Sequence, residues 1–326
     1  MTLKNIAELA GVSVSTVSKA FSGSSEISEE TKQRIFDLAK EHNCFDRYCK
    51  QRFEKKVIAV IVPEFKSDYY VTILKMLDEV ITRQGGVMTV AASNFSAARV
   101  EELFAYYSFY CHADGIIIVE NNADIKNPLF IPAVSIYPLV SCKNIDAVKI
   151  DMLGGMEEAL RHLKENGHTK IGFAGEPYTA SELEIFKTAM NNVGLPVEEK
   201  YIKTSTCRFE KAGKEMMEQW LSEEDRPSAV LAAYDYIAIG AIKAIRNRGY
   251  SVPEDFSIVG INDIGIIPYL DVPLSTIRTY SDKACETAVE LLMKKLKNQY
   301  FMLREKVTVS SDFVIRKSTG KNKENT

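Results

Sequence analysis

A run near the amino terminus, Ser13-Val14-Ser15-Thr16-Val17-Ser18-Lys19, combines short hydroxyls with one cation. On a single helix Val17, with Ala20 and Phe21, turns inward and Ser15, Thr16, Ser18 and Lys19 face out. Short polar side chains let a helix lie deep in a DNA major groove, where hydroxyls and a cation reach phosphates or base edges. A second set of candidates is spread along the chain. Tyr69 and Tyr70 follow the apolar run 57–62, and rings of this kind stack on a sugar face or a nucleobase. Asn94 follows a second apolar stretch. Asp235 follows Val230-Leu231-Ala232-Ala233, where its carboxylate can accept hydrogen bonds from two neighbouring hydroxyls. Each also suits a plainer use. Single aromatic residues commonly fill cores, and Asp235 fits the N-cap of the helix that follows it.

The elements that position these groups are legible in the spacing. Leu3, Ile6, Ala7 and Ala10 give one short amphipathic helix, Gly11 supplies the permissive backbone of a tight turn, and Ser13 caps a second helix. On periodicity alone this pattern also suits a small helical hairpin with a serine-rich surface. Ser28 then caps a third helix with Glu29 and Glu30 in its first turn and Ile35, Leu38 and Ala39 on its inner face. A basic run follows at 47–56. From Val57 the pattern changes to apolar strands (57–62, 87–92, 115–119, 133–136, 147–150) separated by amphipathic segments. The rhythm restarts with a helix at 156–164 and strands at 171–174, 229–233 and 257–261. Such alternation specifies doubly wound parallel sheets with right-handed crossovers. Ligands of such sheets sit beyond the carboxyl ends of the strands, so two facing lobes converge on one cleft.

Composition narrows the function classes. The 326 residues are 46% hydrophobic with a net charge of −3, as for a multi-domain globular protein rather than a basic coat for nucleic acid. Residues 1–56 hold ten Lys/Arg against eight Asp/Glu, and the remainder 31 against 36, the sign expected of a DNA-binding head on an acidic body. No stretch reaches the roughly 20 apolar residues needed to cross a bilayer, and the amphipathic start is no targeting peptide, so a cytoplasmic location is expected, nucleoid-associated when bound to DNA. The six cysteines form no CxxC pair and the four histidines no HExxH, so reduced thiols are expected and neither a metal nor a cofactor. P-loop, GxSxG and GxGxxG patterns are lacking, which weighs against an enzyme acting on sugars or nucleotides. An exported sugar-binding protein is opposed by the amino-terminal helices.

The run 6–18, IAELAGVSVSTVS, resembles the opening of the lactose-repressor and galactose-repressor family of bacterial transcriptional regulators. The stretches HLKENGHTKIGFAG (162–175), AYDYIAIGAIKAIRNRGYSVPEDFSIVGIND (233–263), PLSTIR (273–278) and FVIRKST (313–319) extend the likeness over nearly the whole chain. The resemblance implies a small all-α helix-turn-helix head at 1–45, a hinge or linker at 46–56, and a periplasmic-binding-protein-like body at 57–326. That body has two doubly wound parallel-sheet lobes: an N-lobe of about 57–150 plus 280–304 and a C-lobe of about 151–279 plus 305–320.

It further implies a repressor that binds an inverted-repeat double-stranded operator as a homodimer, under the control of a small molecule, a sugar, between the lobes. By this likeness Val14, Ser15 and Lys19 point at base edges, and Leu3, Ser13, Thr16, Ser18 and Ser22 lie near the DNA backbone. Phe53 takes the place of an apolar minor-groove wedge, although the hinge departs from the family pattern at Phe45, Asp46, Tyr48, Lys50 and Gln51. Phe209 and Asp151 join Tyr69, Tyr70, Asn94 and Asp235 as cleft residues. Glu182 stands where the family commonly has a cleft arginine, which turns the expectation away from anionic effectors and toward a neutral sugar or a cationic ligand.

Overall fold

The computed structural model describes residues 1–48, 54–111, 113–119, 125, 131–137, 145–297 and 304–323. Phe53 lies outside the described residues, as do residues 49–52 of the expected hinge. The chain divides into two compact units, Met1–Lys56 and Val57–Thr326.

The head is built from local signals. Helix α1 (Leu3–Ala10) starts at Thr2, whose hydroxyl accepts from the Asn5 amide, and ends at Gly11 with φ +62°. Only a residue without Cβ takes that left-handed value cheaply. Helix α2 (Val14–Phe21) is capped by Ser13, whose Oγ accepts from the Thr16 amide at 3.0 Å. Helix α3 (Glu29–Glu41) is capped by Ser28 in the same way. Ile6, Ala7, Ala10, Val17, Ala20, Phe21, Ile35 and Ala39 close one small core.

A short helix α4 (Phe45–Tyr48) corrects the expected boundary at 45. The Phe45 and Tyr48 rings stand 5.9 and 5.8 Å from that of Phe21, and the Tyr48 hydroxyl donates to the Met1 carbonyl at 2.8 Å. The bulky residues that depart from the family hinge pattern are therefore head core as far as Tyr48, because aromatic area gains more when buried than when strung along a linker.

The body holds two six-stranded sheets among the described residues. The first comprises β1 (Lys56–Val62), β2 (Gly86–Ala92), β3 (Gly115–Val119), β4 (Ala133–Ile136), β5 (Asp146–Asp151) and β11 (Lys306–Ser310), in the order β11-β5-β4-β3-β1-β2. Helices α5 (Asp68–Arg83), α6 (Ala97–Ala105) and α11 (Ser281–Lys297) belong to this N-lobe. The second sheet comprises β6 (Ile171–Gly175), β7 (Ile202–Thr204), β8 (Ala229–Ala232), β9 (Ser257–Ile261), β10 (Ser275–Arg278) and β12 (Asp312–Val314), in the order β12-β10-β9-β8-β6-β7. Its helices are α7 (Leu153–Glu165), α8 (Ala180–Asn192), α9 (Phe209–Leu221) and α10 (Asp235–Asn247).

β3 pairs parallel with β1 and β4, β5 with β4 and β11, β6 with β7 and β8, and β9 with β8 and β10, whereas β12 runs antiparallel to β10. Strands such as β3 and β8 are buried at every residue, as a sheet covered on both faces requires. The expected return to the C-lobe at 305 is corrected: β11 pairs with β5 over Lys306–Ser310, and the chain changes lobe at Ser311. The alternating burial of Lys-Val-Thr-Val-Ser reflects a sheet-edge position that no run of buried residues announces.

Two glycines set the C-lobe geometry. A Cβ on Gly213 would lie 1.9 Å from the Ile237 carbonyl oxygen, and one on Gly240 would lie 2.0 Å from that of Glu210. Helices α9 and α10 thus meet backbone to backbone, which fixes the starts of both helices, Phe209 and Asp235, relative to each other.

Candidate functional site

On the head, Val14, Ser15, Ser18 and Lys19 are exposed along one side of α2. Val14 is 45% exposed. Ser13 and Thr16 share a hydroxyl contact at 2.8 Å besides the cap, and the Ser22 hydroxyl donates to the Lys19 carbonyl at 3.0 Å. These three residues thus order the two ends of α2 while leaving lone pairs outward. Leu3 is half-buried against the head core, so its first role is packing. The Lys19 ammonium is ion-paired with Glu26, a partner the sequence reading did not single out.

In the body the carboxyl ends of β1, β4, β5, β6, β8 and β9 converge on a cavity of about 100 Å³. Tyr69, Tyr70, Glu182, Phe209 and Asp235 line it; Asn94 and Asp151 do not, and their neighbours Phe95 and Met152 stand in the wall instead. The physical cause at the first of these is the backbone. Asn94 and Phe95 both have left-handed φ, 54° and 58°, which reverses the direction of the loop and sends the ring inward. Asp151 sits at the end of β5, ion-paired with Lys149.

Asp235 is buried and already engaged. Its carboxylate accepts from the Thr276 hydroxyl at 2.6 Å and from the Ile264 amide at 2.9 Å, and burial pushes its carboxyl up to about 7. It is the first residue of α10 rather than its N-cap, which is Tyr234.

Several wall residues were not foreseen. Tyr137, Tyr178, Tyr234 and Tyr236 add rings, and Arg208 adds a guanidinium. Arg208 joins the two lobes: its Nη1 donates to Glu64, beyond β1, at 2.6 Å, and its Nε donates to Glu176, beyond β6, at 3.0 Å. Burial works against its charge, but the two carboxylates outweigh that and hold it protonated above the ordinary arginine range. The guanidinium also lies 4.6 Å from the Phe209 centroid and about 5 Å from those of Phe95 and Tyr178, which stack at 4.0 Å across the cleft. The Tyr236 hydroxyl adds a third tie, donating to Asp68 at 2.5 Å.

On the N-lobe side Tyr69 and Tyr137 share a hydroxyl hydrogen bond, and burial pushes the Tyr69 phenol up to about 12 and Tyr137 well above its usual value. Phe95, Tyr137, Phe209 and Asn262 all have positive φ and all line the cavity. Strain of this kind persists where the surroundings over-determine it and clusters at ligand sites.

The comparisons with known proteins match both units. Residues 2–44 match the model described as bacterial regulatory proteins, lacI family, and residues 160–319 match that of the periplasmic binding protein-like domain. The chain thus joins a lacI-family helix-turn-helix head to a periplasmic binding protein-like domain. Relatives in this family align end to end. The HTH-type transcriptional repressor PurR of Mannheimia succiniciproducens is 26% identical, covering 98% of this chain and 99% of its own. The ribose operon repressor of Haemophilus influenzae is 28% identical, covering 91% and 92%. The lac repressor dimer bound to operator and the anti-inducer ONPF shares the fold at a TM-score of 0.71 and 22% identity, covering 98% and 99%. The chain is a DNA-binding transcriptional regulator, not an enzyme. Among the described residues no helix is long and apolar enough to cross a membrane, and no cluster of His, Cys, Asp or Glu could hold a metal ion.

Proposed function

We propose that this protein is a cytoplasmic repressor that binds an inverted-repeat operator as a homodimer and responds to a sugar held between its lobes. The observation that carries the reading is the closed, ring-lined cavity between two sheets in a chain that also bears an exposed Ser/Val/Lys helix face. On the head, Lys19 reads guanine and Val14 meets a thymine methyl, with Ser15 beside them at base edges. Ser13, Thr16, Ser18 and Ser22 hold the phosphate backbone, and Leu3 supports them from the edge of the core. In the cleft, Tyr70 and Phe209 stack on the ligand and Tyr69 and Glu182 bind its polar groups. Ligand binding shifts DNA affinity only by its different affinity for the two lobe arrangements. Dimerisation is supported by exposed apolar side chains on both lobes, Tyr110 at 76% and Phe109 on one and Tyr269 at 83% and Ile266 on the other. The operator-bound dimer of the lac repressor accords with this.

Footprinting on the DNA upstream of the protein's own coding region tests the reading. A palindromic, salt-sensitive footprint that a sugar weakens or strengthens is expected. A protected site lacking two-fold symmetry, or protection indifferent to sugars that bind the cleft, would overturn it.

A further inference from the structure

We propose that the ligand of the cleft carries a protonated amine. This rests on the reading that the cleft is the effector site, and it concerns the charge the cleft demands. Besides the tyrosine phenols, three carboxyl groups and one guanidinium line the cavity among the described residues. Asp235 is satisfied by Thr276 and Ile264, and Glu176 by Arg208, whose other ion pair is with Glu64. The guanidinium is therefore consumed inside the wall.

Glu182 is left over. Its carboxylate accepts from the Ser181 hydroxyl at 2.8 Å, and no Lys, Arg or His among the described residues stands within ion-pair distance of it. It is half-buried beside Tyr69 and Tyr137, and loss of solvent raises its carboxyl above the ordinary value. A half-buried carboxylate without a cation is left partly desolvated, and a cationic ligand offsets that cost on binding. The walls agree. Tyr69, Tyr70 and Tyr137 from the N-lobe and Tyr236 from the C-lobe line the cavity, and ring faces attract cations and repel anions. A polyhydroxylated amine, such as an amino sugar, satisfies both features at once.

Calorimetry on the full-length protein at pH 7 with matched pairs tests this: D-glucosamine against D-glucose and N-acetyl-D-glucosamine, and D-galactosamine against D-galactose, with choline and putrescine as amines lacking the sugar ring. The amine is expected to bind at least tenfold tighter than its neutral counterpart in one pair or more, and Glu182→Gln to bring the ratio of the two affinities below twofold. A neutral or acetylated sugar that binds as well as its amine, or a preference that survives E182Q, overturns the inference. If neutral sugars bind and Tyr70→Ala removes their binding, the effector cleft stands and the amine falls. If no compound of either kind binds, the amine is refuted, and the cleft reading is then judged separately by whether Tyr70→Ala and Phe209→Ala alter the response of operator binding to cell extract.

Discussion

Replacing Arg208 by methionine keeps the hydrocarbon stem among Phe95, Tyr178 and Phe209 while removing the charge that ties Glu64 on the N-lobe to Glu176 on the C-lobe. Hydrogen bonds to charged groups contribute about 1.5–3 kcal/mol each. Two are lost, and Glu176, only 2% exposed, is left uncompensated. A buried pair broken from one side costs about 3–5 kcal/mol, but the Arg208 side chain is 24% exposed, so solvent screening takes part of this away. A loss of about 3 kcal/mol is expected. For a body of this size that lowers Tm by roughly 6–10 °C. The two carboxylates then face each other across the cleft mouth, so the lobes open and the radius of gyration rises in small-angle scattering. Glu64→Gln supplies the second corner of a double-mutant cycle, with a coupling energy of about 1–3 kcal/mol expected. The reasoning fails if R208M stays within about 0.5 kcal/mol of the parent, or if the R208M and E64Q effects simply add.

Three further expectations follow from the same geometry. Gly240→Ala gains about 1 kcal/mol of helix propensity, yet a Cβ there meets the Glu210 carbonyl, so denaturant unfolding will show a net loss of about 3 kcal/mol or more; a stabilised variant would mean α9 and α10 are not in backbone contact. Asp235 has a raised carboxyl in the fold, so it holds its proton when the unfolded chain has lost it, and stability falls as pH rises from about 4 to about 7. Asp235→Asn should flatten that slope in thermal melts, and an unchanged slope would move the cause elsewhere. Glu26→Gln releases Lys19 from an exposed pair worth about 1 kcal/mol and removes a negative charge beside the reading helix, so gel-shift affinity for the operator should rise roughly fivefold, with weaker binding counting against the role given to Lys19.

The head was legible because its signals are local. Ser13, Ser28 and Gly11 each act within a few residues of themselves, and the structure places them at the caps and the turn that spacing implied. The sheets were legible through continuous apolar runs such as 115–119. The cleft was legible only to the nearest residue. Strand ends can be counted, but whether Asn94 or Phe95 faces the ligand depends on two successive left-handed residues. Arg208 was missed because its role depends on Glu64, far away in sequence and on the other lobe. It also revises the reading of Glu182: the cleft does hold a guanidinium, supplied from another position and already neutralised.

The two units differ in how they can be exchanged. The head is one uninterrupted stretch, Met1–Lys56, so a different reading helix can be spliced onto the same body at a single junction. The lobes offer no such junction. The chain passes between their sheets after β5, after β10 and again after β11, so each sheet is completed by strands from distant parts of the sequence. A crossover at any one of these passes leaves at least one lobe assembled from two parents. Operator choice is thus free to be traded between relatives as a cassette, whereas a change of ligand has to accumulate in place, residue by residue.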